Sequence, residues 1–383
     1  MIQRDAKKKV LEMADKFPVI LITGPRQSGK TTLCKNVFKN YRYVSLENPD
    51  NLEFVQNDPK GFLKLYDKFV IIDEAQNCPE IFSYIQQIID ESNINGQYIL
   101  TGSQNFLLLQ NITQSLAGRV YIMELLPMCN NELNSKNWTE AVVNGGYPRM
   151  YNNKITPNDY FPNYIQTYIE RDIRTLVNVR DLATFRKFIN LLAHHTGQLV
   201  NYNQLSKEVG VDVKTIQSWI GILETSYIVF TLKPWHNNFA KRLVKSPKLY
   251  FYDSGIPAFL LGITNGNDLL TSNYKGALFE NYAITEIIKL LRNQGDNRSL
   301  YFWRDSNGNE IDLIIERGKN VQLFEIKASE TIKSDFIKSV HYLDDKMKDF
   351  NVHHYLFNTI QHSQQRTNET IVSWQDVKLI NTK

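Results

Sequence analysis

Read for hydrophobic and polar positions, the chain changes character twice. Up to about residue 150, short runs that are apolar at nearly every position alternate with stretches of helical spacing. The runs 19–23, 43–46, 70–73, 98–101 and 120–125 predict strands, and 30–40, 62–66 and 80–91 predict helices. Strands that are apolar on both faces need cover on both faces, which predicts a parallel sheet with helices on either side. Beyond Gly145-Gly146-Tyr147-Pro148, residues 163–180 and 183–195 read as helices leading into two shorter ones. From about Tyr274 a helix, two strands of alternating polarity and another helix form a third block. The expected class is α/β in three domains: 1–150, a parallel-sheet domain; 151–262, a helical linker and helix-turn-helix domain; 263–383, a small α/β domain.

The turn after the first strand carries chemistry. Gly24-Pro25-Arg26-Gln27-Ser28-Gly29-Lys30-Thr31-Thr32 fits G-x-x-x-x-G-K-[ST] between a strand and a helix. Glycines let the backbone wrap closely, so its N–H groups and the helix N-terminus face phosphate oxygens. Lys30 is expected at the β- and γ-phosphates and the Thr31 hydroxyl on Mg²⁺. Phe69-Val70-Ile71-Ile72-Asp73-Glu74 is an apolar strand ending in two acids. Adjacent carboxylates at a buried strand end repel each other unless a cation is present. Asp73 is therefore expected to hold Mg²⁺ and Glu74 to polarise the attacking water. Together the two elements predict a P-loop NTPase sheet for residues 1–150.

The strand 98–101 runs into Gly102-Ser103-Gln104. Ser103 is the expected γ-phosphate sensor, with Thr101 second. Arg119, in Ser115-Leu116-Ala117-Gly118-Arg119, is a cation able to neutralise charge on the transferred phosphoryl group, in its own chain or in a neighbouring copy. A surface arginine is the competing reading. With Ile71-Ile72-Asp73-Glu74-Ala75-Gln76, Leu100-Thr101-Gly102-Ser103-Gln104 and Gly145-Gly146-Tyr147-Pro148, the phosphate loop resembles that of the prokaryotic AAA-type ATPase family with a C-terminal domain of unknown function. The resemblance spans nearly the whole chain. It implies ATP rather than GTP, a winged-helix-like middle and a restriction-endonuclease-like end.

Residues 202–209, a turn at Gly210 and 213–226 read as a helix-turn-helix. Leu205, Val209, Ile216, Ile220 and Leu223 have the spacing that packs two such helices together. Lys214, Gln217 and Ser218 would then face outward, where a recognition helix carries base-reading groups. Lys233, Lys241, Arg242, Lys245 and Lys248 follow with no intervening acid, interleaved with Trp235, His236 and Phe239. That stretch is a candidate phosphate-contacting wing for double-stranded DNA. A protein–protein module has the same pattern.

In the third block Glu310–Glu316 and Gln322–Lys327 alternate around Arg317-Gly318-Lys319-Asn320. If Gly318 and Lys319 centre the turn, Asp312 lies opposite Glu325 and Glu310 opposite Lys327. Like charges directly opposite destabilise a hairpin, so a cation is expected there: a divalent metal, Mg²⁺ or Mn²⁺, or the neighbouring lysines. Asp312, Glu325 and Lys327 resemble the PD-(D/E)xK nuclease family's pattern, and Glu280 on the preceding helix resembles its helical acid. His194-His195 and His353-His354 match no H-E-x-x-H spacing and read as ordinary surface or core residues.

Composition narrows the field. With 42% hydrophobic and 22% charged residues the chain is not a disordered one. No apolar run approaches the roughly 18 residues of a membrane span, so no membrane partner is expected. Cys34, Cys78 and Cys129 are far apart, which excludes a disulfide scaffold and fits a reducing cytoplasm. A net charge of +4 means that any nucleic-acid surface must be local. The reading is an ATP-binding, Mg²⁺-dependent ATPase coupled to a DNA-facing, nuclease-like C-terminal region, with homo-oligomers as candidate assemblies. Its rival is an ATP-gated switch that binds a protein partner and cleaves nothing.

Overall fold

The structure is a computed structural model that describes residues 2–102, 115–173, 181–235 and 244–380. It divides into two compact units: 1–128 with 225–227 and 291–296, and 129–224 with 228–290 and 297–383. Among the described residues no helix is long and apolar enough to cross a membrane.

The first unit is built on five parallel strands, β1 (Val19–Thr23), β2 (Arg42–Ser45), β3 (Val70–Asp73), β4 (Tyr98–Gly102) and β5 (Val120–Glu124). Their order is β2-β3-β4-β1-β5, so β4 lies between the loop strand and the acid strand. Alternate residues of each strand serve opposite faces. Val19, Leu21, Val70, Ile72 and Leu100 pack with Val55, Phe62, Phe82 and Ile85 on one face. Those four come from helices α3 (Pro49–Asn57), α4 (Pro59–Leu65) and α5 (Ile81–Ser92). Ile20, Ile22, Ile71, Ile99 and Met123 pack on the other face with Val10 and Met13 of α1 (Lys7–Ala14) and Leu33 and Cys34 of α2 (Lys30–Val37). This doubly covered parallel sheet is the α/β P-loop NTPase fold that the apolar runs predict. Helix α1 is an addition: its lysines are visible in the sequence, but the buried i, i+3 pair Val10 and Met13 beneath them is what makes it a helix of the core.

The second unit begins with short helices and continues through α6 (Leu182–His194), α7 (Tyr202–Val209) and α8 (Val213–Thr225). Gly210 closes α7 at φ +89°, a left-handed cap that favours glycine. Leu205, Val209, Ile216, Ile220 and Leu223 are buried together, while Lys214, Gln217 and Ser218 are exposed. Next come β6 (Val229–Pro234) and β7 (Lys248–Phe251), paired antiparallel. Strand β6 also pairs in parallel with β8 (Leu300–Arg304), so the middle and the end of the chain share one eight-stranded sheet. The long helix α9 (Lys275–Asn293) precedes β8, and β9 (Glu310–Arg317) and β10 (Asn320–Lys327) form the hairpin. Its register pairs Arg317 with Asn320 and Leu313 with Phe324, as a turn at Gly318 and Lys319 requires. Strand β11 (Asn351–Asn358) then adds in parallel to β10 after α10 (Lys338–Asp344).

Candidate functional site: a phosphate loop and an acidic hairpin

Residues 24–29 bridge the end of β1 and the start of α2. Gly24 (φ +141°) and Gly29 (φ +92°) take conformations that L side chains rarely adopt, and a Cβ on Gly24 would collide with the Leu125 carbonyl. The buried Arg4 guanidinium braces the loop, donating from Nη1 to the Ser28 carbonyl (2.6 Å) and from Nη2 to the Leu126 carbonyl (2.7 Å). Lys30 Nζ, also buried, donates to the Gly24 and Pro25 carbonyls at 3.0 and 2.9 Å. Burial pushes its pKa down to about 8, against the pull of Glu74 and Asp73. The buried Ser28 hydroxyl has no hydrogen-bond partner among the described residues. An orphaned hydroxyl and an ammonium whose hydrogen bonds among the described residues go to neutral carbonyls, at the head of a helix, fit an incoming polyphosphate. Pro25 is buried, Arg26 and Thr31 half-buried, and Gln27 and Thr32 exposed on the same turn.

Asp73, at the end of β3, collects three hydroxyls. Thr31 Oγ1 donates to its Oδ1 (2.9 Å), Tyr43 OH to its Oδ2 (2.8 Å), and Thr101 Oγ1 to its Oδ1. The Tyr43 phenol is pushed up to about 12, by burial first and by the Asp73 carboxylate second. Thr101 also accepts from the Glu74 N–H (3.2 Å). Glu74 has φ +55°, a strained turn that re-aims the chain after the strand, and its carboxylate accepts from Gln76 Nε2. The structure thus brings Lys30, Thr31, Asp73 and Glu74 to one end of the sheet together with Thr101, the second sensor candidate, and adds Tyr43 and Arg4, which no motif names. Ser103 lies outside the described residues.

Arg119 is not brought to this edge. It immediately precedes β5, whose Val120 pairs with Val19 at the start of β1, whereas the loop follows the end of β1. A strand of this length separates the two ends by roughly 15 Å. There Arg119 grips Asp90 with Nε and Nη2 at 2.5 and 2.9 Å. Of the alternatives that the sequence leaves open, this placement speaks against its own chain's phosphates and leaves a neighbouring copy or a plain surface role.

The hairpin gathers the second predicted set. Beyond Leu313–Phe324 the backbone ladder gives way to a side chain, and the Ile326 N–H donates to Asp312 Oδ2 (2.8 Å). Lys327 Nζ contacts Glu325 Oε1 and lies 3.8 Å from Asp312 Oδ2. Glu280 of α9 is engaged by Tyr250 OH (2.5 Å) and Lys248 Nζ (3.0 Å), and Lys248 also pairs with Glu310. Arg304 completes the set, 3.3 Å from Glu310. Burial, then the neighbouring Asp312 carboxylate, pushes the Glu325 pKa up to about 8. The acids that a metal would need therefore already hold ammonium groups or backbone donors. Among the described residues no group of three or more His, Cys, Asp or Glu is arranged to hold a metal ion. The expected second metal does not fit this arrangement.

The basic stretch is also redistributed. Lys248 is withdrawn into the acidic cluster, and Trp235 is buried with its indole N–H on Glu316 (2.8 Å). Lys241, Arg242, His236 and Phe239 lie outside the described residues. Lys233 and Lys245 remain exposed along a cleft of about 550 Å³ that Tyr202 and Tyr301 also line.

The sheet and its loop define a nucleotide-binding ATPase fold. Residues 16–134 match an AAA domain family, 135–267 a domain of unknown function (DUF8612) and 275–377 a second one (DUF4143). An uncharacterized protein of Mycobacterium tuberculosis is 31% identical over 86% of this chain and 74% of its own length. Another from Methanocaldococcus jannaschii is 25% identical over 88% of this chain and 80% of its own length. Among solved structures, a Walker-type ATPase of Pyrococcus abyssi is 15% identical with a TM-score of 0.40, covering 67% of this chain and 95% of that one. The chain belongs to the prokaryotic AAA-type ATPases that carry a C-terminal domain of unknown function.

Proposed function

We propose that Mg²⁺-dependent ATP hydrolysis in the first unit controls engagement of double-stranded DNA by the second. The observation that carries the catalytic half is the convergence of Lys30, Thr31, Asp73 and Glu74 at one sheet edge. The backbone of 24–31, with Thr32 behind it, cradles the phosphates. Lys30 exchanges carbonyl acceptors for phosphate oxygens, and Thr31 and Asp73 hold the metal. Bound Mg²⁺ neutralises charge on the β- and γ-phosphates. Glu74 accepts a proton from the attacking water, with Ser103 or Thr101 as the polar contact to the γ-phosphate. Arg119 can contribute only to another copy's phosphates, which would make the active form a homo-oligomer.

Supporting the DNA half are Lys233 and Lys245 on the open cleft and the exposed Lys214, Gln217 and Ser218 of α8. The withdrawal of Lys248 favours the rival, a protein-binding switch, because it leaves a smaller basic face. Anisotropy of labelled duplex DNA across salt concentrations, with and without ATP, separates them. Binding should fall steeply with salt, and changing Lys233 and Lys245 together to alanine should cut the log–log slope by about 2. An identical curve for the double variant would remove this surface from the reading. The hairpin acids are already occupied by lysines and a backbone donor, which does not favour cleavage.

A further inference from the structure

We propose that Lys248 is the resident cation of the acidic hairpin, its ammonium standing where a nuclease-like site would need a divalent metal. Four carboxylates meet here: Glu280 from α9, Glu310 and Asp312 from β9, and Glu325 from β10. So many acids cannot stay together in a poorly solvated place without positive charge among them. Lys327 serves one side, at Glu325 and Asp312. The other side, Glu280 and Glu310, faces β7, and Lys248 reaches them from that strand with only 4% of its side chain exposed.

The arrangement is built for a lysine. Tyr250, two residues along β7 and so on the same face, donates its hydroxyl to the same Glu280 oxygen that Lys248 contacts. Phe302 lies beneath the ammonium, with Nζ 5.6 Å from the ring centre, an apolar wall that would offer a metal no ligand. Arg304 lies on the outer oxygen of Glu310, so that both oxygens of that acid are engaged. Burial works against the Lys248 charge, but Glu280 and its neighbours outweigh it and hold the ammonium protonated. One buried oxygen, Glu325 Oε2, has no hydrogen-bond partner among the described residues, and the raised pKa of that acid lets a proton supply the remaining charge. Lysines and a proton, not a metal, make the cluster compatible with the fold.

The test uses the full chain carrying Lys30→Ala, without nucleotide, so that the phosphate loop does not report. Mn²⁺ is titrated to about 1 mM, the weak end of protein sites for hard divalent cations, and free Mn²⁺ is read by electron paramagnetic resonance. All of it should stay free, and melting should be unchanged by the metal. Adding Lys248→Met should create one Mn²⁺ site and a metal-dependent rise in melting temperature, both lost with Asp312→Asn. Mn²⁺ binding with Lys248 intact that Asp312→Asn removes would overturn the proposal. So would a folded Lys248→Met chain that gains no Mn²⁺ site. If the Lys248→Met chain does not fold, the first titration decides alone.

Discussion

Lys30 and Lys248 are both buried lysines at the edge of a sheet, in opposite company. Lys30 donates to two backbone carbonyls, and burial holds its pKa near 8. Lys248 sits between Glu280 and Glu310, and its pKa is raised despite burial. A buried ammonium facing neutral acceptors is short of negative charge, which ATP supplies. One facing carboxylates already has its anion and has nothing to offer a ligand. In sequence the two lysines read differently, Lys30 within a phosphate loop and Lys248 within an acid-free basic stretch, and the structure leaves only the first with an unmatched positive charge.

Replacing each lysine by methionine sharpens that contrast. Lys248→Met leaves Glu280 without its cation and Glu310 with Arg304 alone, and should cost about 3–5 kcal/mol in denaturant unfolding of the metal-free protein. Lys30→Met removes a charge that the fold disfavours and should change nucleotide-free stability by no more than about 1 kcal/mol while abolishing ATP binding. Equal losses of stability would erase the distinction.

Proton linkage offers the next test. Below about pH 8 Lys30 is already charged in the free protein; above it, ATP must bring a proton with it. Affinity should fall by about tenfold per pH unit above that point, with proton uptake visible as a buffer-dependent heat of binding. A flat profile from pH 8 to 9.5 would place the lysine in a different environment.

A smaller effect is expected at the hairpin. Glu325 holds its proton up to about pH 8 in the folded chain but loses it near 4.5 when unfolded. The folded state thus binds more protons between those values, and stability falls as pH rises through that window. Glu325→Gln should flatten this slope in chemical denaturation between pH 5 and 8. A slope unchanged by the substitution would assign it to another group.

What the sequence revealed follows from how local each feature is. The phosphate loop and the Asp73-Glu74 strand end are each contiguous, so each was legible from its own residues, and the Mg²⁺ chemistry they share predicted that Thr31 and Asp73 meet, as they do. The hairpin register was legible for the same reason as far as Leu313–Phe324, but the expected Asp312–Glu325 and Glu310–Lys327 pairs lie beyond the ladder, where the Asp312 side chain takes the Ile326 N–H instead. Lys248 was read as a DNA contact because its partners Glu280 and Glu310 lie on other elements, and nothing near it in sequence is acidic. Arg4 and Tyr43 carry no pattern, although they brace the loop and Asp73. Arg119 was legible as a residue but not in its role, which stayed open between its own chain, a neighbouring copy and the surface; preceding a strand parallel to β1, it lies at the end away from the loop.

The central claim, that this sheet edge hydrolyses ATP with Glu74 as the base, is tested most directly by Glu74→Gln. ATP affinity and steady-state phosphate release are measured side by side in the variant and the unaltered chain, with Mg²⁺ present. Affinity should be retained and turnover reduced by about 10²–10⁴-fold, because an amide cannot take the proton of the attacking water. Near-normal phosphate release from the Glu74→Gln protein would contradict it.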